Sequence, residues 1–570
     1  MRGWPRMPVP CPFCGVGCKL KEDGKPLGPV CGKGLEAFEY YKNVLERPLL
    51  REGDLFVEVS LEEAAERAAE WIRQSKAPFF AGSAEDTNES AWALQKLARF
   101  LGTNAVDHCG RVCHSSSVEA YKLIFGKPVT PFKMSDKLEE VLVVGSDVSV
   151  TYPVFWGKIK REAKRVVVVD AWKSFTMLQA DEGLLVPPGP GFLAFSEVIY
   201  SITYGKDVPR WTEDWVDVRE VKEIWNSFER PSLVHGMGVT QSGYGYQATA
   251  RLILATLKRG GTVATLRGKV NVQGAGDMGL NPYPPAPREA LEEAWGFPVP
   301  AERGPDLVEA FKEPRDFYLV HCQNVVASLP NSFAVGEALE NAKVIHVTPK
   351  FTETSVFADM IVPSSPVIFT TGTVTSGDGL VTAVRTSTNR AYEFFRLVAE
   401  YLGLYLPKDV KEVTEEAFSL VDHYKKIDVK RLYAGEDQYV EKPEGWREVD
   451  PPEAKLLDYH LKEGYWFYTA RDPALWTTKG GTKMMKRHAM KEAFYFGEDP
   501  GCEAVEVCSE ETGRCVEGEV RVSERVPKGM VLAFFNHLGL KVNAVIPWEP
   551  REPTGTPVYK AAKVKVRCLR

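Results

Sequence analysis

No apolar run in this chain approaches the roughly 20 residues that a membrane-spanning helix needs. The longest, such as Val141–Val144 and Val166–Val169, end after a few residues, so nothing is expected to cross a bilayer. Low-complexity tracts are also missing, and with 44% apolar and 26% charged residues the disordered, collagenous and coiled-coil classes fall away. There is no basic excess: 71 Lys and Arg stand against 77 Asp and Glu, a net charge of −6, which removes the electrostatic case for a nucleic-acid partner. Met1–Pro10 reads without an apolar h-region or a twin-arginine pair, so the expectation is a cytoplasmic chain, with a partner subunit able to carry an export signal for both. Eleven cysteines in 570 residues are too few for a disulfide scaffold, and four of them fall in the first 31. In a cytosolic protein that placement points to metal. The length itself argues for about three or four domains at roughly 150 residues each.

Those four cysteines lie in Cys11-Pro-Phe-Cys14-Gly-Val-Gly-Cys18 and Val-Cys31-Gly-Lys33-Gly, a C-x2-C-x3-C-x12-C pattern. Four soft thiolates converge when the chain wraps around something, and iron–sulfur clusters demand that ligand set. Gly15 and Gly17 allow tight turning and offer N–H donors to sulfur. Structural zinc is the alternative, but its sites usually come as two C-x2-C pairs, which the x3 spacing fits poorly.

Two further segments concentrate chemistry. Asp107-His108-Cys109-Gly110-Arg111-Val112-Cys113-His114 holds two thiols, two imidazoles and a guanidinium. A thiolate on a high-valent metal beside an imidazole suits proton-coupled redox chemistry, whereas a buried structural Cys next to a surface His is the plainer reading. Leu266-Arg267-Gly268-Lys269-Val270-Asn271-Val272-Gln273-Gly274-Ala275-Gly276-Asp277-Met278-Gly279 alternates glycines with amides around one arginine. It suits close backbone approach to a polar ligand and a bidentate fork for a carboxylate; a glycine-rich turn with a surface arginine is its ordinary meaning.

Two strand-then-polar-turn units recur. Val141–Val144 leads to Gly145-Ser146-Asp147 and is followed by Arg165–Val169 ending in Asp170; Asp316–Val320 leads to His321-Cys322-Gln323-Asn324 and is followed by Val344–Val347 ending in Thr348. Each reads as βαβ with parallel strands buried on both faces. Ligands bind at the carboxyl ends of such strands, which places Gly145, Ser146, Asp170, Gln323 and Asn324 at candidate sites. Neither unit carries G-x-G-x-x-G, so ordinary NAD binding is unsupported. Residues Lys408 to Pro451 read as a solvated helical connection. From about Glu463 short alternating strands such as Glu503–Val507, Gly518–Val522 and Lys563–Val566 predict a β-barrel. Cys508 and Cys515 flank a hairpin-like turn and read as structural thiols, with a cross-strand disulfide open to a thermophile, a setting that the Glu/Lys-rich, Gln-poor composition hints at.

In their order along the chain these motifs resemble the molybdopterin oxidoreductases that use two pterin guanine dinucleotides. Arg47-Pro-Leu-Leu-Arg-Glu-Gly53, His235-Gly-Met-Gly-Val-Thr-Gln241, Phe351-Thr-Glu-Thr354 and Ala358-Asp-Met-Ile-Val-Pro363 extend the likeness, and Gly372-Thr-Val-Thr-Ser376 carries it in part. The Arg-Val-Cys-His segment is similar to that of formate dehydrogenase catalytic (alpha) subunits. The resemblance implies a four-iron four-sulfur cluster on Cys11, Cys14, Cys18 and Cys31, with Lys33 on the electron path to the pterin. It implies molybdenum or tungsten on Cys113, proton handling by His114, formate orientation by Arg267 and a structural Cys109. It also implies cofactor contacts at Lys33, Gly145, Ser146, Asp170, Gly189, Gly236, Met237, Gly238, Gln241, Gly268, Asn271, Gln273, Gly274, Gln323, Asn324, Thr348, Thr352, Asp359, Asn543, Tyr559 and Lys560. The sequence departs from the family where Lys269 replaces the usual Gln and Gly276 the usual Cys.

The fold so implied is multidomain α/β. An iron–sulfur domain (1–52) precedes two pseudo-symmetric parallel α/β pterin-dinucleotide domains (53–132 with 268–400, and 133–267). A connecting helical segment (401–462) leads to a β-barrel that caps the cofactor (463–570). The function implied is reversible oxidation of formate to CO2, with electrons passed through one cluster to an iron–sulfur subunit of a larger oxidoreductase or hydrogenase complex. The alternatives are a related bis-pterin oxidoreductase on another one-carbon substrate, of the formylmethanofuran type, and a non-catalytic electron-relay subunit of a redox complex.

Overall fold

The β-branched run Val166–Val169 is buried throughout, as a parallel strand covered on both faces must be. It forms the strand Arg165–Asp170 in the computed structural model, which describes residues 7–454, 464–476, 478, 480–548 and 553–569. Its sheet is wholly parallel, in the order Thr262–Ala264, Ser232–His235, Glu140–Val144, Arg165–Asp170, Glu182–Leu185. A second sheet has seven strands, in the order Leu55–Glu58, Leu49–Glu52, Met360–Pro363, Lys343–Thr348, Phe317–His321, Pro78–Gly82, Val106–His108. Its last five strands run parallel, and the Leu49–Glu52/Leu55–Glu58 hairpin pairs antiparallel at one edge. Both strand-turn units read from the sequence are therefore present, one in each sheet.

The chain divides into two compact units, Met1–Arg111 with Arg267–Glu441, and Val112–Leu266 with Lys442–Arg570. The first holds the seven-stranded sheet, the second the five-stranded sheet. The second also contains a closed six-stranded barrel in the order Tyr465–Ala470, Met530–Phe534, Phe494–Phe496, Arg514–Val522, Ala504–Ser509, Ala562–Cys568. Closure leaves no sheet edge to pair with another chain. Within this unit Trp466, Tyr468, Leu532 and Phe534 of the barrel share one buried cluster with Val167, Val169, Phe192 and Phe195.

Cys508 and Cys515 are directly opposed across the barrel hairpin and disulfide-bonded. A second disulfide, Cys502–Cys568, joins residues 66 apart; nothing in the sequence pattern announces it. Loop-closure entropy assigns it about 4 kcal/mol, against about 2 for the short hairpin link. The connecting segment carries the helices Val410–Leu420 and Val429–Tyr433. It is less solvated than its charge content suggests, because Val413, Ala417, Phe418 and Tyr424 are buried. The expected start of the barrel at 463, the end of the connecting segment (455–462) and residues 1–6 lie outside the described residues. Among those described, no helix is long and apolar enough to cross a membrane.

Candidate active site

In the first unit the N-terminal loop turns back on itself, with Cys11 N donating to Cys18 O at 2.7 Å and Gly17 N to Cys14 O at 3.2 Å. Gly17 takes φ +63 there, a conformation cheap only for glycine. The four thiols converge closely enough to feel one another. Burial, then Cys14, Cys18 and Cys31, raise the Cys11 thiol well above its usual range; burial, then Cys14 and Cys31, push Cys18 up to about 12. Thiols crowded this way give up their protons when a cation joins them, so the set fits a four-cysteine cluster. Lys33 is buried in the short helix Gly32–Leu35 that starts after Cys31.

The cluster loop is tied to the arginine segment. Gly15 N donates to Arg267 O at 2.9 Å, and a Cβ on Gly15 would lie 2.8 Å from that oxygen. Arg267 is itself 1% exposed. Its Nε and Nη2 donate to Gln273 Oε1 at 3.2 and 3.0 Å, and Gln273 Nε2 donates to Asp277 Oδ1 at 2.9 Å. Asp277 Oδ2 accepts from Tyr424 Oη at 3.0 Å and lies 3.1 Å from His423 Nε2. Sequence reasoning missed this relay, although Gln273 and Asp277 stand four residues apart on the helix Val272–Asp277 and so share a face.

Asn271 donates to Asp86 O and accepts from Thr375 N. Gly274 has no room for a side chain, since a Cβ would meet Asn88 Oδ1 at 2.0 Å. Lys269 is paired with buried Glu85 at 2.5 Å; burial works against its charge, but Glu85 more than compensates and raises its pKa. At the strand ends of the same unit Gln323 donates to Gly82 O and Asn324 to Glu353 Oε2 at 2.6 Å. Thr348 donates to Lys350 O, Thr352 caps the turn Glu353–Phe357, and Asp359 pairs with Lys343 at 2.7 Å.

In the second unit Cys113 and buried His114 occupy the first turn of the helix Arg111–Phe125. Cys113 Sγ lies 3.3 Å from Met237 Sδ, Thr240 Oγ1 donates to Cys113 O at 2.8 Å, and Gln241 Nε2 donates to Val112 O at 2.5 Å. The turn carrying Met237 is pressed against the end of strand Glu140–Val144: a Cβ on Gly238 would lie 2.6 Å from Gly145 Cα, and one on Gly236 2.6 Å from Ser146 Cβ. The glycines thus let the two turns pack in direct contact at the carboxyl ends of the parallel strands, where such sheets bind ligands, which fits a dinucleotide cradle. Gly189 takes φ +72 ahead of the helix Pro190–Thr203, and Asn543 is buried in the turn Val542–Val545.

Lys560 N donates to Gln241 O at 3.1 Å, and its ammonium donates to Thr469 O. Burial lowers the Lys560 pKa to about 7; burial raises Asp170, which accepts from Tyr468 Oη at 3.1 Å, to about 7 as well. Tyr559 is pushed well up by burial and by the neighbouring Cys113. The second unit therefore brings together Cys113, Gly145, Ser146, Gly236, Met237, Gly238, Gln241, Tyr559 and Lys560, while the cluster cysteines, Lys33 and Arg267 belong to the first.

The chain is similar to several known proteins. The chain is 28% identical to the F420-dependent formate dehydrogenase subunit alpha of Methanocaldococcus jannaschii, covering 74% of each chain. It is 25% identical to the F420-dependent formate dehydrogenase 2 subunit alpha of Methanococcus maripaludis, covering 98% of each. Among solved structures, acetylene hydratase from Pelobacter acetylenicus shares the fold with a TM-score of 0.73 at 13% identity, over 99% of this chain and 100% of that one. The sequence profile named molybdopterin oxidoreductase matches residues 45–393, well over half of the chain, and the chain belongs to that family.

Proposed function

We propose that this chain is the catalytic subunit of a molybdenum- or tungsten-dependent formate dehydrogenase, HCOO⁻ ⇌ CO2 + H⁺ + 2e⁻. The observation that carries the reading is a buried arginine held by a neutral amide, a fixed cationic fork for a carboxylate. When bound, the metal held by two pterin guanine dinucleotides supplies the two-electron acceptor. Arg267 orients formate by its two oxygens, and the Gln273–Asp277 relay keeps the guanidinium from turning away. Cys113 contributes its thiolate as the protein ligand to the metal, and His114 takes up the proton. Cys11, Cys14, Cys18 and Cys31 would hold a four-iron four-sulfur cluster, with Lys33 beside the path, and the cluster would supply one-electron transfer to an iron–sulfur partner subunit in the cytoplasm. Gly145, Ser146, Asp170, Gly236, Gly238, Gln241, Tyr559 and Lys560 cradle one dinucleotide, and Gln323, Asn324, Thr348, Thr352 and Asp359 the other.

Lys269 favours a second reading, another one-carbon substrate such as a formyl group on the same cofactor, because a buried Lys269–Glu85 ion pair stands two residues from Arg267 where the family usually has a neutral side chain. The test is metal analysis of anaerobically purified protein with formate-dependent viologen reduction, on wild type and Cys113→Ala. Near-stoichiometric molybdenum or tungsten, with turnover lost in the variant, is expected. Iron alone without turnover would leave an electron-relay subunit, and bound metal without formate turnover would move the search to other one-carbon substrates.

A further inference from the structure

The first unit also holds a mixed donor set. Asp86, His321 and Cys322 are all buried, and one ligand atom from each lies within 4.8 Å of the other two. Their elements explain the meeting. His321 ends the strand Phe317–His321, and Asp86 lies just past the neighbouring parallel strand Pro78–Gly82. Two loops at the same ends of adjacent strands are thereby joined.

Cys322 is the unexpected member. Consecutive residues leaving a strand point to opposite faces, yet here the thiol shares a side with the imidazole before it, because Cys322 takes φ +46. That left-handed conformation costs an L-residue about 1–2 kcal/mol and costs glycine nothing. Cysteine at a position that suits glycine calls for a use of its sulfur. His321 Nε2 faces Asp86 Oδ2 at 2.9 Å, and the buried imidazole also hydrogen-bonds the Cys322 side chain. Ser364 Oγ lies 3.0 Å from Cys322 Sγ.

We propose that Asp86, His321 and Cys322 form a zinc site that clamps the loop after Phe317–His321 to the loop after Pro78–Gly82. One sulfur, one imidazole nitrogen and one carboxylate oxygen suit a borderline-soft, tetrahedral, redox-inert ion. Ligands at about 2.0–2.3 Å from zinc stand roughly 3.3–3.6 Å apart in a tetrahedron, and the three ligand atoms, within 4.8 Å of one another here, close around the ion by side-chain rotation. A water or Ser364 completes the fourth position. None of its three residues is an N-terminal cysteine or Cys113. Its consequence is to fix the direction of Gln323 and Asn324, which follow directly.

The experiment measures zinc in the anaerobically purified full-length protein from zinc-supplemented cells and records zinc-edge X-ray absorption, for wild type, Cys322→Gly and Cys14→Ala. Glycine suits the backbone at 322, so that variant removes the sulfur without adding strain. One zinc per chain is expected, with one sulfur and the remaining ligands nitrogen or oxygen, absent in Cys322→Gly and kept in Cys14→Ala. Zinc well below one equivalent in wild type overturns the proposal. So does zinc retained in Cys322→Gly, or a sulfur-only shell lost in Cys14→Ala, which would assign the ion to the N-terminal cysteines. None of these outcomes depends on whether formate is the substrate.

Discussion

The Lys269–Glu85 pair invites the most demanding test. Replacing Lys269 by Gln leaves a carboxylate that is 2% exposed in its side chain without its counter-charge. Breaking a buried ion pair from one side costs about 3–5 kcal/mol, whereas removing both charges is often close to neutral. The assay is native-state hydrogen exchange on the amides of the helix Asn88–Phe100, which begins three residues after Glu85. At about 1.4 kcal/mol per decade, Lys269→Gln should speed exchange there by roughly 150- to 4,000-fold, and Glu85→Gln should do similar damage by stranding the ammonium. The double variant Lys269→Gln/Glu85→Gln should return to within about tenfold of wild type, because a neutral amide pair is left in place of an unpaired charge. Additive effects, with the double variant at least as fast as the worse single, would refute the reasoning. They would mean that each side chain is solvated on its own and that the pair does not hold the loop ahead of the helix.

Two other perturbations follow from the same physics. Gln273→Glu keeps the shape of the fork but places a carboxylate on Arg267; formate KM should rise at least about tenfold, the smaller end of what a hydrogen bond to a charged group contributes, with molybdenum or tungsten content unchanged, and a KM within twofold of wild type would remove Arg267 from substrate binding. In cofactor-free protein, Asp170 keeps a proton up to about pH 7 that the unfolded chain has released near 3.8, so stability falls as pH rises through that window. Above it the unfolded chain retains on Lys560 a proton that the folded protein has lost near pH 7, so stability rises again. Thermal melts should therefore show a minimum near neutrality, and Asp170→Asn should abolish the acid-side fall; an unchanged profile would show that the pair is already solvated.

What was legible in the sequence is what is local. Val141–Val144 and Val166–Val169 announce buried parallel strands because a sheet covered on both faces admits nothing polar. The barrel strands show because alternation survives in Ala504–Ser509 and Arg514–Val522. The hairpin disulfide between Cys508 and Cys515 was in reach because the two lie only seven positions apart. The Cys502–Cys568 link, the Glu85 partner of Lys269 and the meeting of Asp86 with His321 and Cys322 each depend on strand order, which no window of sequence contains. The connection read as solvated shows the same limit from the other side. Its charge content describes one face of Val410–Leu420, while Tyr424 just beyond it reaches Asp277 and through it the arginine relay.

Two buried arginines of the first unit show why the partner of Arg267 matters. Arg111 is held by Asp107, with Nε 2.8 Å from Oδ2 and Asp306 nearby, and Leu307 N also donates to Asp107. Burial opposes its charge, but the two carboxylates more than offset this and raise its pKa. Such an arginine is electrostatically spent: it fixes the chain, and an incoming anion would find the charge already neutralised. Arg267 instead donates to the neutral Oε1 of Gln273, and the carboxylate of Asp277 stands one hydrogen bond further away. The amide transmits orientation from Asp277, Tyr424 and His423 without transmitting their charge. On the proposed reading, a fork that recognises a small carboxylate needs rigidity, and a glutamine placed between arginine and aspartate supplies it through a neutral group.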